Sequence, residues 1–265
     1  MSLATRLRGL RAIVVGDTML DEYVHGRATR ISQEAPVMVI RQSGTSAVAG
    51  GAANVARNLS AFGLAASVIG LRGEDDAGVR LEASLEGTDH RLLVDPSRPT
   101  TRKTRIVAQR GEQVLRIDEE STEPLSEALS ERLVEAVAER LDRASLLLLS
   151  DYRKGTLTEG SVARLVTLAR ERGVVVAANA KPETAAWYRG ATIVSLNEPE
   201  TEGALGRPIG DPVADALGLR DRTGTESFLV TMGERGMATE RFRVPAVPVE
   251  LADAAGAGDT TIAAV

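Results

Sequence analysis

Short apolar runs alternate along this chain with longer stretches in which apolar residues recur every three or four positions. The runs are AIVVG from Ala12, ASVIG from Ala66, LLLLS from Leu146, VVVAA from Val174, ATIVS from Ala191 and SFLVT from Ser227. Short continuous runs bounded by turn signals read as strands buried on both faces. Between them, Asn54 to Phe62, Ser126 to Leu141 and Glu159 to Arg172 carry the period of a helix with one apolar face. The alternation predicts an α/β fold, with a mostly parallel central sheet flanked by helices on both faces. In such sheets ligands collect at the C-terminal ends of the strands.

Two segments break this rhythm. Residues 24–49 and 100–118 alternate apolar and polar positions around turn signals, as half-exposed antiparallel strands do. The second reads as a hairpin turning near Arg110 and Gly111. Together they predict a small β lid beside the main sheet, either a cover for a site or a dimerisation surface. With no internal repeat or low-complexity linker, residues 1–265 read as one domain with lid insertions.

Composition narrows the partners. Hydrophobic residues make up 43% of the chain, ample for a core, while a formal charge of -5 and 3% aromatics leave no basic or stacking surface for nucleic acid. Cysteine is absent, which fits a reducing compartment. No apolar run reaches the roughly 18–20 residues that cross a bilayer, so the expectation is a cytoplasmic protein without a membrane partner. Only three of the 32 basic residues are lysines. Lys103, Lys154 and Lys181 each fall where a parallel-sheet site would open, which points to anionic ligands.

The chemistry gathers around small residues. In DAAGAGDTT, Gly256, Ala257 and Gly258 offer backbone N–H groups where a helix opens at about Asp259, a setting that favours an anion. Asp259 would repel a phosphate, but it makes sense as a base that takes a proton from an attacking hydroxyl. Taken alone, the four letters equally describe a turn with Asp259 as a cap.

VVGDTMLDEY places Asp17 and Asp21 past the first strand, as hydrogen-bond acceptors for a polyol or as turn and capping residues. AGGAANVARNLSAFG puts Gly50 and Gly51 ahead of a helix beginning near Asn54, which allows close backbone approach to a ligand or close helix packing. In SLNEPET, Asn197 and Glu200 stand on one helix face, able to hold a hydrated Mg²⁺ or to form a capping box. VTMGERG offers Thr231 and Gly233 to a nucleotide's phosphates or to a tight turn. The run RKTR, with Lys103 and Arg105, reaches over a phosphorylated substrate or forms a solvated strand face. Neither a dinucleotide fingerprint nor a Walker loop is present. His25 and His90 lack any partner pattern.

GD-x-M-L-D, GGAANVARNL, SDYRKG, N-x-x-E and DAAGAGDT occur in the order seen in the ribokinase-like (PfkB) carbohydrate kinases, and the chain resembles that family over nearly its whole length. RISQEAPVMVI, PTTRKTRIVAQRGEQVLRID and WYRGATIVSLN look most like the heptose-7-phosphate kinase branch. The resemblance implies transfer from ATP to a sugar hydroxyl, with Asp259 as base and the Gly256–Ala257–Gly258 amides as anion hole. It implies sugar contacts from Asp17, Gly50, Gly51 and Asn54, with Asp21 nearby. Lys181, Asn197, Thr231 and Gly233 fall on the nucleotide side and Glu200 with Mg²⁺. Lys103 or Arg105 would lie near a distal phosphate, with the anomeric hydroxyl as acceptor. A homodimer through the lid follows by the same analogy.

The sequence departs from the family where Ala254 and Ala255 replace a Thr-Gly pair and where Asn179 stands for an aspartate. Family members also continue past the helix that starts at Asp259, so the expectation is a chain incomplete at its C-terminus. No H-x-G-H segment occurs, and the resemblance extends to the kinase half of the bifunctional heptose enzymes. The alternatives are a kinase for an unphosphorylated sugar or nucleoside, and a non-catalytic module that binds a sugar phosphate or nucleotide.

Overall fold

A computed structural model describes residues 7–247 and 256–265. Strand β1 (Arg11–Gly16) leads into two long strands, β2 (Thr18–Ile31) and β3 (Met38–Gly51), and then helix α1 (Ala52–Ala61). β4 (Ala65–Arg72), α2 (Asp76–Ala83) and β5 (Asp89–Val94) follow, then the hairpin of β6 (Arg102–Val107) and β7 (Gln113–Glu119). Next come α3 (Glu127–Leu141), β8 (Leu146–Ser150), α4 (Glu159–Glu171), β9 (Val175–Asn179) and β10 (Ile193–Asn197). α5 (Glu198–Leu205), α6 (Pro212–Thr223), β11 (Ser227–Thr231), β12 (Met237–Ala238), β13 (Arg243–Val244) and α7 (Ala257–Ala264) complete it.

Among the described residues, nine strands form the central sheet in the order β13-β12-β11-β10-β9-β8-β1-β4-β5. From β11 across to β5 every pairing is parallel, and β12 and β13 turn back antiparallel at one edge. Alternate residues of each strand face opposite layers. Ile13, Val15, Leu147, Leu149, Val176 and Val194 pack with α3, α4 and α6 on one side. Ala12, Val14, Val68, Leu148 and Ala177 pack with α1 and α7 on the other. The chain builds outward from β1 in one direction through β4 and β5, and in the other through β8 to β11. The crevice between β1 and β8 is therefore the switch point at which such sheets bind ligands.

Helix starts follow local chemistry. Ser126 caps α3 by accepting from Leu129 N, and Thr158 and Ser161 form a reciprocal capping box at α4. α1 begins at Ala52, two residues ahead of the expected start, because Ala52 N already donates to Asp17 O across the chain at 2.9 Å.

β3-β2-β6-β7 form the separate four-stranded lid. It runs from Thr18 to Gly51 and from Arg102 to Glu119, wider than residues 24–49 suggested. Its root is apolar on the inside: Leu20, Ala49 and Ala53 pack against Ala77, Leu81 and Leu85 of the α2 region. That burial hides the alternation that marks the outer lid. No helix among the described residues is long and apolar enough to cross a membrane.

Candidate active site

The parallel strands end on one side of the molecule, and their ends supply the site. β1 delivers Asp17, β8 delivers Asp151 and Tyr152, β9 delivers Asn179 and Lys181, β10 ends at Asn197 and β11 at Thr231. α7 borders the crevice beside the strand ends, with Asp259 in its first turn.

Two cavities meet at Asp259. One, of about 240 Å³, lies under the lid and is lined by Asp21, Gly50, Gly51, Asn54, Tyr152, Gly256 and Asp259 together with the cations Arg57, Lys103, Arg105 and Arg116. The other, of about 170 Å³, lies over the strand ends and is lined by Lys181, Asn197, Glu200, Thr231 and the backbone of Gly256, Ala257 and Gly258. Tyr152, Gly256 and Asp259 belong to both and form the partition between them.

Asp259 is only 3% exposed. Asn54 Nδ2 donates to its Oδ2 at 2.7 Å, and the Tyr152 hydroxyl donates to its Oδ1. Burial pushes the Asp259 carboxyl above the usual range, with the nearby Asp21 charge adding to it, while the two hydrogen bonds and Lys181 oppose the rise. A carboxylate so placed is a stronger proton acceptor than one in water. Gly256 stands at φ 77°, where L side chains are strained, and a Cβ there would press on Asn54 Nδ2 at 2.7 Å. Gly51, at φ 59°, makes the corresponding turn into α1, where a Cβ would run into Asp17 O.

The lid-side cations are set by strand register. β2, β6 and β7 pair so that Asp21 stands beside Lys103, Tyr23 beside Arg105, and Arg105 directly opposite Arg116. Like charges facing each other across a strand pair destabilise a sheet unless an anion lies between or beside them. Here Asp21 Oδ1 accepts from Arg105 at 2.6 Å, and Asp118 takes both Arg116, at 2.8 and 3.0 Å, and Lys103, at 3.1 Å. Burial pushes the Asp118 carboxyl up, but its bonds to Arg116 and Lys103 outweigh this and hold it below the usual carboxylate range. Arg57 donates to the neutral Asn54 Oδ1 at 2.7 Å.

At the second cavity, Asn197 and Glu200 form the capping box of α5, each side chain on the other's backbone N–H. Glu200 also pairs with Lys181, whose ammonium lies 5.3 Å from the centre of the Tyr152 ring. Among the described residues no group of three His, Cys, Asp or Glu forms a metal cage. A single engaged carboxylate fits Mg²⁺ carried in with phosphates and reached through water, the usual habit of that ion.

Some expectations change. Asp17, 1% exposed, lines neither cavity. Its carboxylate accepts from Tyr152 N at 2.6 Å, Lys154 N at 3.1 Å and Thr156 N at 3.2 Å, and so fixes the loop after β8. Burial, together with the nearby Asp151, pushes the Asp17 carboxyl up. Gly233 begins a short 3₁₀ turn beyond the buried Met232 and does not line the second cavity, whereas Thr231 does. Lys154 turns away to pair with Glu120 at the lid root at 2.7 Å. The small residues ahead of Gly256, including Asp253, Ala254 and Ala255, lie outside the described residues.

Tyr152, Arg57 and Arg116 were not anticipated as site residues. Arg116 was recoverable, since a hairpin turning between residues 110 and 111 sets it opposite Arg105. Nothing local marks Tyr152 beyond its place after a strand.

The strand order and the crevice at the strand ends under a small β lid define a ribokinase-like α/β fold. Phosphofructokinase-2 from Escherichia coli, in its tetrameric inhibited form, superposes with a TM-score of 0.77 at 20% identity, over 97% of this chain and 86% of that one. A putative phosphofructokinase from Staphylococcus aureus gives 0.71 at 15% identity, over 96% and 82%. At these identities the likeness carries the fold alone. The pfkB family carbohydrate kinase pattern matches residues 10–265, and the chain belongs to that family.

Among curated proteins, it is 41% identical over 279 residues to the bifunctional protein HldE of Bradyrhizobium diazoefficiens, covering all of this chain and 56% of that protein. It is 38% identical over 273 residues to that of Trichlorobacter lovleyi, covering 99% and 55%. The chain thus spans about half the length of the curated relatives it matches.

Proposed function

We propose that this chain transfers the γ-phosphoryl group of ATP to the anomeric hydroxyl of a heptose 7-phosphate, with Asp259 as general base. The carrying observation is the meeting of two cavities at one buried carboxylate, with Arg57, Lys103, Arg105 and Arg116 around the lid-side cavity. Four cations converging on one cavity, held now by Asp21, Asp118 and Asn54, can turn to a dianionic phosphate at the far end of the acceptor.

In this reading the sugar lies against Gly50, Gly51 and Asn54, with its acceptor hydroxyl on Asp259. The hydroxyl proton passes to the Asp259 carboxylate as its oxygen bonds to the γ-phosphorus. The bond from that phosphorus to the β–γ bridging oxygen breaks, and ADP leaves. The amides of Gly256, Ala257 and Gly258, at the start of α7, face the equatorial oxygens of the transferring group. Lys181 and Thr231 hold the nucleotide's phosphates, with Asn197 beside them. Glu200 would hold Mg²⁺ through water, and the ion would supply charge neutralisation to the nucleotide's phosphates.

The bare lid supports a further part of the reading, a homodimer. Leu115 and Ile117 of β7 are 52% and 48% exposed, and a second copy packing lid to lid would cover them.

The test is Mg-ATP-dependent ADP release against heptose 7-phosphate, hexose phosphates and free sugars. Turnover concentrated on the heptose phosphate is expected. Preference for an unphosphorylated acceptor would overturn the role given to the cation cluster, and ATP binding with no turnover on any acceptor would overturn the kinase reading.

A further inference from the structure

The partition between the two cavities contains one group to which the proposed chemistry gives no role. Tyr152 donates its hydroxyl to Asp259 Oδ1, on the oxygen that Asn54 does not bind. Its ring lies below the Lys181 ammonium, 5.3 Å from Nζ to the ring centre, and its own backbone N–H is pinned to Asp17 Oδ2 at 2.6 Å. The neighbouring Arg153 sits at φ 59°, a left-handed conformation disfavoured for a side chain of this kind and kept only where surrounding contacts over-determine it. Asp17 supplies those contacts by taking the amides of Tyr152, Lys154 and Thr156 together. A buried carboxylate and a strained turn are thus used to aim one phenol at one carboxylate oxygen.

We infer that Tyr152 is a positioning residue for the base: it fixes the rotamer of Asp259 with one lone pair of Oδ1 left for the acceptor hydroxyl, and it favours the ionised form that takes the proton. The inference rests on the reading of Asp259 as base. Three features support it. First, burial pushes the Tyr152 phenol far up, helped by the neighbouring Asp259, so the hydroxyl remains a donor throughout the working range of pH. Second, hydrogen bonding from Tyr152 is the largest influence that pulls the Asp259 carboxyl down against burial. Third, a carboxylate oxygen has two acceptor directions, so the phenol and a substrate hydroxyl can share Oδ1. The charged groups around the pair are Asp21 from β2, Lys181 after β9 and Glu200 from α5. None is altered by removing the phenolic oxygen.

The test is Tyr152→Phe, which keeps the ring under Lys181 and removes only the donor. In protein labelled with ¹³C at aspartate carboxyl carbons, the Asp259 signal is assigned by its disappearance in Asp259→Asn and followed against pH. The expected result is a titration midpoint at higher pH in Tyr152→Phe, with the circular dichroism spectrum of the parent and a thermal midpoint that falls near pH 7 but holds in acid. In turnover, kcat/KM for the acceptor falls about tenfold, the size of a lost hydrogen bond to a charged group. Its acid limb moves to higher pH while KM for ATP holds.

An unmoved Asp259 titration, or a rate loss with no shift of the acid limb, would overturn the inference and leave Tyr152 as packing. Asp259→Asn alone separates this from failure of the underlying reading. If Asp259→Asn keeps most of the activity, the base assignment is wrong. If Asp259→Asn is inactive and Tyr152→Phe titrates and turns over like the parent, only the positioning role is lost. Where the inference holds, Tyr152→Phe adds no further loss in the Asp259→Asn background.

Discussion

The lid and the floor of the site treat carboxylates in opposite ways. On the lid, Asp118 and Glu120 lie among Lys103, Arg116 and Lys154, and although burial pushes both carboxyls up, these cations hold them below the usual range. On the floor, burial dominates and pushes Asp17 and Asp259 above it. The lid is therefore a surface of matched charges, built from side chains on one face of a small sheet and open to exchange. The floor is built from strand ends and backbone amides and keeps its acids dry. The floor suits chemistry common to any phosphoryl donor, and the lid suits recognition of one acceptor.

The largest expected effect breaks the floor. Asp259→Asn keeps the size and polarity of the side chain and removes the proton acceptor, so kcat falls by about 10²–10⁴-fold while ATP still binds. Single-turnover kinetics beside calorimetric titration of ATP would separate the two quantities.

An intermediate effect separates lid from floor. Lys103→Ala leaves Asp118 with Arg116 and Glu120 with Lys154, so the lid keeps its structure. Loss of one charged contact then raises KM for a phosphorylated acceptor about tenfold or more, with KM for ATP unmoved. Lys181→Ala does the reverse. Steady-state kinetics with both substrates varied checks the pair, and equal changes in both constants for either variant would erase the division. Arg105→Ala is a poorer probe, because it leaves Asp21 without the partner it has at 2.6 Å.

The smallest effect lies in stability, and its sign differs between the regions. Asp259 has a raised carboxyl in the folded state, so the stability it contributes is present below the unfolded value of 3.8 and is lost as pH rises through the folded value. At neutral pH it is a net burden, and Asp259→Asn raises the thermal midpoint by about 2–4 °C. Asp118 has a lowered carboxyl, so its contribution is present above 3.8 and is lost as pH falls through the folded value. Asp118→Asn lowers the midpoint near pH 7 and has little effect in strong acid. Calorimetric scans at several pH values distinguish the two slopes.

The central strands were legible because burial on both faces leaves long apolar words: LLLLS and SFLVT could hardly be anything else. β5, at the sheet edge, reads DHRLLV and went unnoticed, since an edge strand has less to bury and keeps charge. The extent of the lid was misjudged where Leu20 and Ala49 are buried at its root. In the site, Asp259 and its glycines were visible because backbone chemistry forces small residues into a recognisable cluster. Asp17 was visible but its amide partners were not, because an acid after a strand looks the same whether it meets a ligand or three amides of its own chain. Tyr152 was hidden, since its role comes from a loop whose path Asp17 fixes from 135 residues away in sequence.

The hydrogen bond between Asn54 and Asp259 joins positions 205 residues apart, and it has a consequence for how the protein comes into being. During synthesis both walls of the crevice emerge from the ribosome well before the group that would do the chemistry. Contacts at such separation form late, after the loop-closure entropy of everything between them has been met. A nascent chain can thus shape most of the lid-side cavity while the proposed base is still missing from it. Asp259 reaches the crevice only once α7 has docked and Ile262 has joined Val55 and Leu59 in the core.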